Sequence, residues 1–314
     1  MLSFIKSYRH APPVATSLVF ILAGILPGQV ALCATNFFVP VADTSLLEVA
    51  TSNNMGGFAG MNSGTTGEYK KTRALIRFDL TPLPRSTIVQ FSALHIDVTH
   101  QPSADESPPP ITFGLRRMLR SWGEGTNSPT TQIGKGLPAT EGDATWFHAF
   151  FPTNLWTSPG GAVGADFSDT ESTFTDIIGV SSYTFPSTPE MMGDVTGWLD
   201  HPQNNFGWVL LCNSEGANYS ARRFSTREDV DHLPLLELHY LVPPHLTIAK
   251  TNSTQTCIQF TAWAGHTYDI EYRNSLAAGS WALLSHLNAA PTNYPVTLLD
   301  TQSVTQRFYR VNAY

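Results

Sequence analysis

Charge is scarce in this sequence: Asp, Glu, Lys and Arg make up 14% of its 314 residues, against about a quarter in an ordinary soluble domain. That shortage disfavours long solvated helices laced with ion pairs and leaves surface polarity to Ser, Thr, Asn and Gln. Cysteine is nearly absent. Of three residues, Cys33 lies in the apolar start while Cys212 and Cys257 fall in separate domains. A disulfide framework is therefore disfavoured, and two buried free thiols are expected. After an apolar stretch near the start, no run reaches the ~20 residues that a membrane-spanning helix needs. A net charge of −7 offers no broad basic field, which argues against nonspecific binding of nucleic acid or anionic membrane. Gly-x-Ser-x-Gly, His-Glu-x-x-His, a phosphate loop and a dinucleotide fingerprint are missing too.

What is present points to strands and turns. Hydrophobic residues make up 42% of the chain, with 23 Gly and 22 Pro, a usage that suits many short strands joined by turns. The length suffices for two domains, since single cores stop growing at about 250 to 300 residues. Residues 1–33 read as a signal peptide: Lys6 and Arg9 make a basic start, and thirteen mostly apolar residues follow at 14–26, too few to cross a bilayer. Ala31 and Cys33 stand where a signal peptidase favours small residues, so cleavage is expected after Cys33 or Ala34. A lipid anchor on Cys33 is the rival, disfavoured because Leu32 is not small. Removing Lys6 and Arg9 leaves 16 of 18 basic residues against 25 acidic ones, a mature charge near −9. The implied location is extracellular or at the cell surface.

Beyond the leader, short alternating runs at 37–41, 73–80, 88–98, 111–118, 208–212 and 235–241 predict strands, because successive side chains of an extended chain face opposite ways. Two long loops, 50–69 and 123–143, stand out as functional candidates. Residues 191–199 predict one short helix, with Met192, Val195, Trp198 and Leu199 at helical spacing. Val242-Pro-Pro244 breaks the strand pattern and marks a boundary. Six further runs follow in about 70 residues, at 246–249, 256–262, 266–272, 281–287, 296–299 and 307–312. The expectation is an all-β protein, an antiparallel β-sandwich or jelly roll over 35–241 and a smaller β-sandwich over 242–314.

Arg73-Ala-Leu-Ile-Arg77-Phe-Asp-Leu80 is the most informative stretch. Ala74, Ile76, Phe78 and Leu80 fall on one face, and Arg73, Leu75, Arg77 and Asp79 on the other. Lys70, Lys71 and the later Arg222, Arg223 and Arg227 add cations. Guanidinium forks pair bidentately with carboxylates, so neighbouring clusters would make a groove for a uronate polysaccharide such as alginate or pectin. The plainer expectation is that these arginines pair with Asp79, Glu228 and Asp229 as structural bridges. Clusters lying far apart, or each locked to its own acid, would favour a structural role. Among aromatics, Trp122 beside glycines and Tyr69 beside the first long loop are the candidates for an exposed sugar-stacking surface, while Trp146, Trp156, Trp198 and Trp208 are expected in the core. The candidate ligand-binding residues are thus Arg73, Arg77, Lys71, Tyr69, Arg222, Arg227 and Trp122.

Enzymatic signals are weak. Glu124, Asp143 and His148 lie near one another but at no nucleophile-base spacing, and Glu124 reads better as a turn carboxylate accepting backbone hydrogen bonds. No cofactor is indicated beyond a structural calcium ion, for which Asp43, Asp79, Glu228, Asp229 and Asp231 supply oxygens without a linking spacing. Asn218-Tyr-Ser220 and Asn252-Ser-Thr254 match glycosylation acceptors.

Several features in order make the first domain similar to the DNRLRE family of secreted bacterial β-sandwich modules. They are Asp43-Thr-Ser, Asn53-Asn-Met-Gly-Gly57, Arg73 to Leu80 with Leu83-Pro84, Ala93-Leu-His-Ile-Asp-Val98, Trp122-Gly-Glu-Gly125 and Asp143-Ala-Thr-Trp146 with Trp156. Asn205-Phe-Gly-Trp-Val-Leu210, Phe224-Ser-Thr-Arg-Glu228 and Leu233-Pro-Leu-Leu-Glu-Leu238 complete the match over about 200 residues. Residues 126–142 and 160–189 depart from it, so no site is carried across them. The tail, through Ala264-Gly-His-Thr-Tyr-Asp-Ile-Glu-Tyr272, Ser275-Leu, Gly279-Ser-Trp281 and Arg307-Phe-Tyr-Arg-Val311, resembles fibronectin type III-like C-terminal modules. The first resemblance implies a carbohydrate-binding-module-like role in a family with alginate-associated members, and the second a spacer or attachment module. Together they imply a secreted, non-catalytic protein whose partner is a polysaccharide or cell-surface glycan. A structural or adhesive surface protein without a sugar ligand is the alternative, and a polysaccharide-degrading enzyme ranks third.

Overall fold

The computed structural model describes residues 4–9, 34–103, 110–251, 255–302 and 306–313. Most of the expected leader, including the cleavage region at Cys33, and the acceptor Asn252-Ser-Thr254 lie outside the described residues. The chain forms two compact units: Thr35–Tyr240, and Leu241–Tyr314 together with the N-terminal strand Phe4–Arg9.

The larger unit is an antiparallel, sandwich-like all-β fold. One sheet runs Phe167–Ile177, Ile111–Met118, Trp208–Cys212 and Lys71–Phe78, with Pro40–Leu47 on the other side of Lys71–Phe78. The second contains Arg222–Phe224, Ile88–His100, Ser181–Phe185, Leu235–Leu241 and Ala34–Phe38. Met61–Thr65 pairs with both Lys71–Phe78 and Arg222–Phe224, so it is a corner strand that belongs to both sheets. Gly64 sits in that corner with φ +116. A Cβ there would lie 2.7 Å from Ala221 Cα, so only glycine fits.

Between the sheets the packing is aromatic. Phe113 meets Phe224 across the layers at 5.3 Å, and Trp208 touches Phe78 at 6.2 Å and Trp198 at 4.5 Å. Trp198 comes from the helix Pro189–Asp200, which the Thr188 side chain caps by accepting the Met191 N–H. Its buried residues are Met191, Val195, Trp198 and Leu199. Met191 therefore replaces the expected Met192, since 191, 195 and 198 make the more even stripe.

Lys71–Phe78 departs from its expected amphipathic character. Ala74, Ile76 and Phe78 are fully buried, as the alternation predicts, but the opposite face is covered as well. Leu75 joins Ala42, Leu46, Trp122, Trp146, Trp156 and Phe167 in a second hydrophobic cluster. The three tryptophans come from the long connection after Ile111–Met118, which folds back over the strand. Trp122 was expected to be exposed; it is 3% exposed, with its indole N–H donating to the Phe206 carbonyl at 2.8 Å.

The smaller unit also has two sheets. Phe4–Arg9, Gln306–Ala313, Tyr268–Arg273 and Ala282–Leu287 form one, and Thr247–Lys250, Thr256–Ala262 and Tyr294–Asp300 the other. Ile258, Phe260, Tyr268, Ile270, Tyr309 and Val311 share the core between them. Cys212 is buried and Cys257 half-buried, both as free thiols. No helix among the described residues is long and apolar enough to cross a membrane.

Candidate functional site

The strand Lys71–Phe78 projects Arg73 into the covered face, and every donor nitrogen of its guanidinium has a partner there. Nε and one terminal nitrogen grip Glu215 at 2.7 and 2.8 Å, while the other donates to the carbonyls of Gly160 and Gly161 at 2.8 and 2.9 Å. The ring faces of Trp146 and Phe167 lie 5.7 and 5.6 Å from its Cζ. Lys71 approaches the same Glu215 at 3.6 Å. The acid that locks Arg73 is thus Glu215, in the turn after Trp208–Cys212, rather than any of the acids expected from the sequence.

The later arginines are also committed, each in its own place. Arg222 is 1% exposed, and one of its terminal nitrogens donates to the carbonyls of Tyr219, Ser220 and Ala221 at 3.1 to 3.3 Å. Burial draws its pKa below the ordinary arginine value. A side chain so enclosed cannot line a ligand surface, which corrects its assignment. Arg223 packs over Phe58 at 5.4 Å. Arg227 grips Glu124 through two bonds of 2.7 and 2.9 Å and approaches Glu228 at 3.0 Å. The two clusters therefore form no shared cationic groove. Tyr69 is 71% exposed as expected, but on a tight turn with φ +57, where its N–H donates to the Thr66 carbonyl.

Arg77, which like Arg223 has no ion pair with an acid among the described residues, lines a cavity. Its guanidinium lies over the Trp122 ring at 5.7 Å and has no acid partner among the described residues. It opens onto a cavity of about 280 Å³ lined also by Asp79, Thr81, Pro202, Trp198 and Asn205. Trp122 thus supports the candidate site from beneath instead of stacking on a ligand. Asp79, which lines the same cavity, accepts the Thr81 N–H at 2.9 Å.

A second cavity of about 410 Å³ lies along the helix, lined by Arg117, Ser168, Thr170, Ser172, Asp194 and Trp198 among others. Helical spacing by itself marks only the packing stripe of this helix. The signal available was the alternation of Ser168, Thr170 and Ser172 on one strand. Burial raises the Asp194 carboxyl, against hydrogen bonds from Ser172 and Trp208 and the charge of Arg117, which lower it.

Each side chain singled out for chemistry has a partner of its own. Asp143 accepts from the Thr140 backbone at 2.8 Å, His148 pairs with the Thr145 hydroxyl at 3.0 Å, and Glu124 accepts the Asp43 N–H at 2.9 Å besides holding Arg227. Of the possible calcium oxygens, Asp43 and Glu228 meet beside Glu124, but Arg227 shares that position and Asp229 pairs with His232. Among the described residues no three His, Cys, Asp or Glu side chains are arranged to hold a metal ion.

No family model matches the chain, and no curated protein matches it. Among solved structures, an allantoicase ("Structure of allantoicase") is similar over 77% of this chain and 77% of its own, at 7% identity and a TM-score of 0.14, too slight a likeness to carry an argument.

Proposed function

We propose that the chain is a secreted, non-catalytic polysaccharide-binding protein whose contact lies at the Arg77 cavity. The observation that carries this reading is the cation itself: half-buried Arg77, with its guanidinium 5.7 Å from the Trp122 ring centre and no ion pair with an acid among the described residues, lines an open cavity. A uronate ring would offer it a carboxylate, and the ring hydroxyls would meet Asp79 and Thr81. At about 280 Å³ the cavity lies just below the range of typical ligand pockets, which begins at about 300 Å³, so the contact is with a small part of a polymer. DNRLRE membership stays part of this proposal and rests on the motifs alone.

The test is affinity electrophoresis and calorimetry of the full chain with alginate, pectate and neutral glycans. Retardation by the uronate polymers is expected, weakened at least tenfold by Arg77→Gln and less by Arg77→Lys, which keeps the charge but loses the fork. A flat response to every glycan would overturn the proposal. The reading left standing would then be a structural or adhesive surface protein, which is favoured by the locking of Arg73 to Glu215 and of Arg227 to Glu124.

A further inference from the structure

Glu124 and Glu228 hold the Arg227 guanidinium, and Asp43 accepts the backbone N–H of the same residue. They come from three places: the strand Pro40–Leu47, the start of the long loop, and the turn after Arg222–Phe224. Asp43 is wholly buried. Its Oδ2 accepts the Arg227 backbone N–H at 3.0 Å, whereas its Oδ1 has no hydrogen-bond partner. Glu228 Oε2 is likewise buried and without a partner. Three carboxylates against one cation leave an excess of negative charge in a poorly solvated place, and two of their oxygens lack any donor. Burying an unpaired charge is unfavourable, so such a group neutralises instead.

We infer that Asp43 carries a proton on Oδ1 at neutral pH, making this junction a proton-binding latch that holds the Arg227 turn to the sandwich. The proton removes one of the excess charges. The charged groups facing Asp43 are Glu124, Arg227 and Glu228; the strand on its other side presents Ile76 as its register partner. Burial pushes the Asp43 carboxyl up to about 8, with Glu228 and Glu124 adding to the rise. Glu228 is raised as well, again first by burial.

The sign follows from proton binding. A carboxyl whose pKa is higher in the folded state than in the unfolded one holds extra protons in the fold, so its contribution is complete below the unfolded value. It then declines as pH rises and levels off above about 8. The test is the melting midpoint of the full chain between pH 5 and 9, with amide exchange at residues 225–233. The midpoint should drop by several degrees toward pH 8 with early loss of protection in that turn, and Asp43→Asn should flatten the drop. Should that variant fail to fold, carbon NMR of the wild-type Asp43 carboxyl reads the same point, and a midpoint below pH 5 overturns the inference. So does an equal drop in the Asn variant. A midpoint at pH 8 that moves on adding or chelating calcium would also overturn it, since a cation would then be satisfying those oxygens.

Discussion

Arg73 and Glu215 stand 142 positions apart in sequence and form a two-pronged ion pair of 2.7 and 2.8 Å beneath a cover of tryptophan. Their side chains are 12% and 19% exposed. Glu215→Gln should therefore cost about 2 to 4 kcal/mol, as expected when one partner of an enclosed pair is removed. A urea-denaturation double-mutant cycle with Arg73→Met checks it, and a coupling energy below about 0.5 kcal/mol would refute the structural role given to Arg73.

Asp194 ties the helix to the sheet by accepting the Trp208 indole N–H at 2.9 Å and pairing with Arg117 at 2.9 Å. Asp194→Ala strands a buried indole donor and should cost about 2 to 3 kcal/mol. Asp194→Asn retains an acceptor and should cost less. Tryptophan fluorescence during urea unfolding reads both, and equal costs would count against the hydrogen bond as the tie.

Two glycines of the long loop should behave oppositely. A Cβ on Gly123 would lie 1.7 Å from the Gly142 carbonyl oxygen, whereas one on Gly134 meets nothing within 4 Å. Gly123→Ala should lose about 2 kcal/mol or more by overpacking, and Gly134→Ala should stay within about 0.5 kcal/mol. Thermal melts of the two variants decide it.

In the smaller unit, burial acts to raise the Asp300 carboxyl, but bonds from Tyr309 at 2.7 Å and Arg307 at 2.6 Å outweigh it and hold the pKa below the ordinary value. A depressed carboxylate stabilises above its unfolded pKa and loses that contribution as pH falls. Amide protection in Gln306–Ala313 should therefore weaken below about pH 4, and Asp300→Asn should show the same weakening already at pH 7. Unchanged protection in that variant would dismiss the network as a stabiliser.

Local pattern made part of this fold legible. Ile111–Met118, Trp208–Cys212, Leu235–Leu241 and Thr256–Ala262 appear at the boundaries their alternation predicts. Phe167–Ile177 escaped because its register shifts twice, between Phe167 and Glu171 and again before Thr173, and each shift breaks the period of two. The cationic face was legible as a face but not as a covered one. Nothing near Arg73 announces Glu215, and Trp122 among glycines gives no local sign that Trp146 and Trp156 will enclose it. Arg77 survived as a candidate because its strand ends beside open space, a matter of tertiary placement.

The corner strand Met61–Thr65 bears on how the larger unit moves. A strand bonded to both sheets prevents the layers from sliding past each other at that corner. Breathing of the sandwich is then expected to begin away from that corner, at Phe167–Ile177 and Ala34–Phe38, which end the run of paired strands.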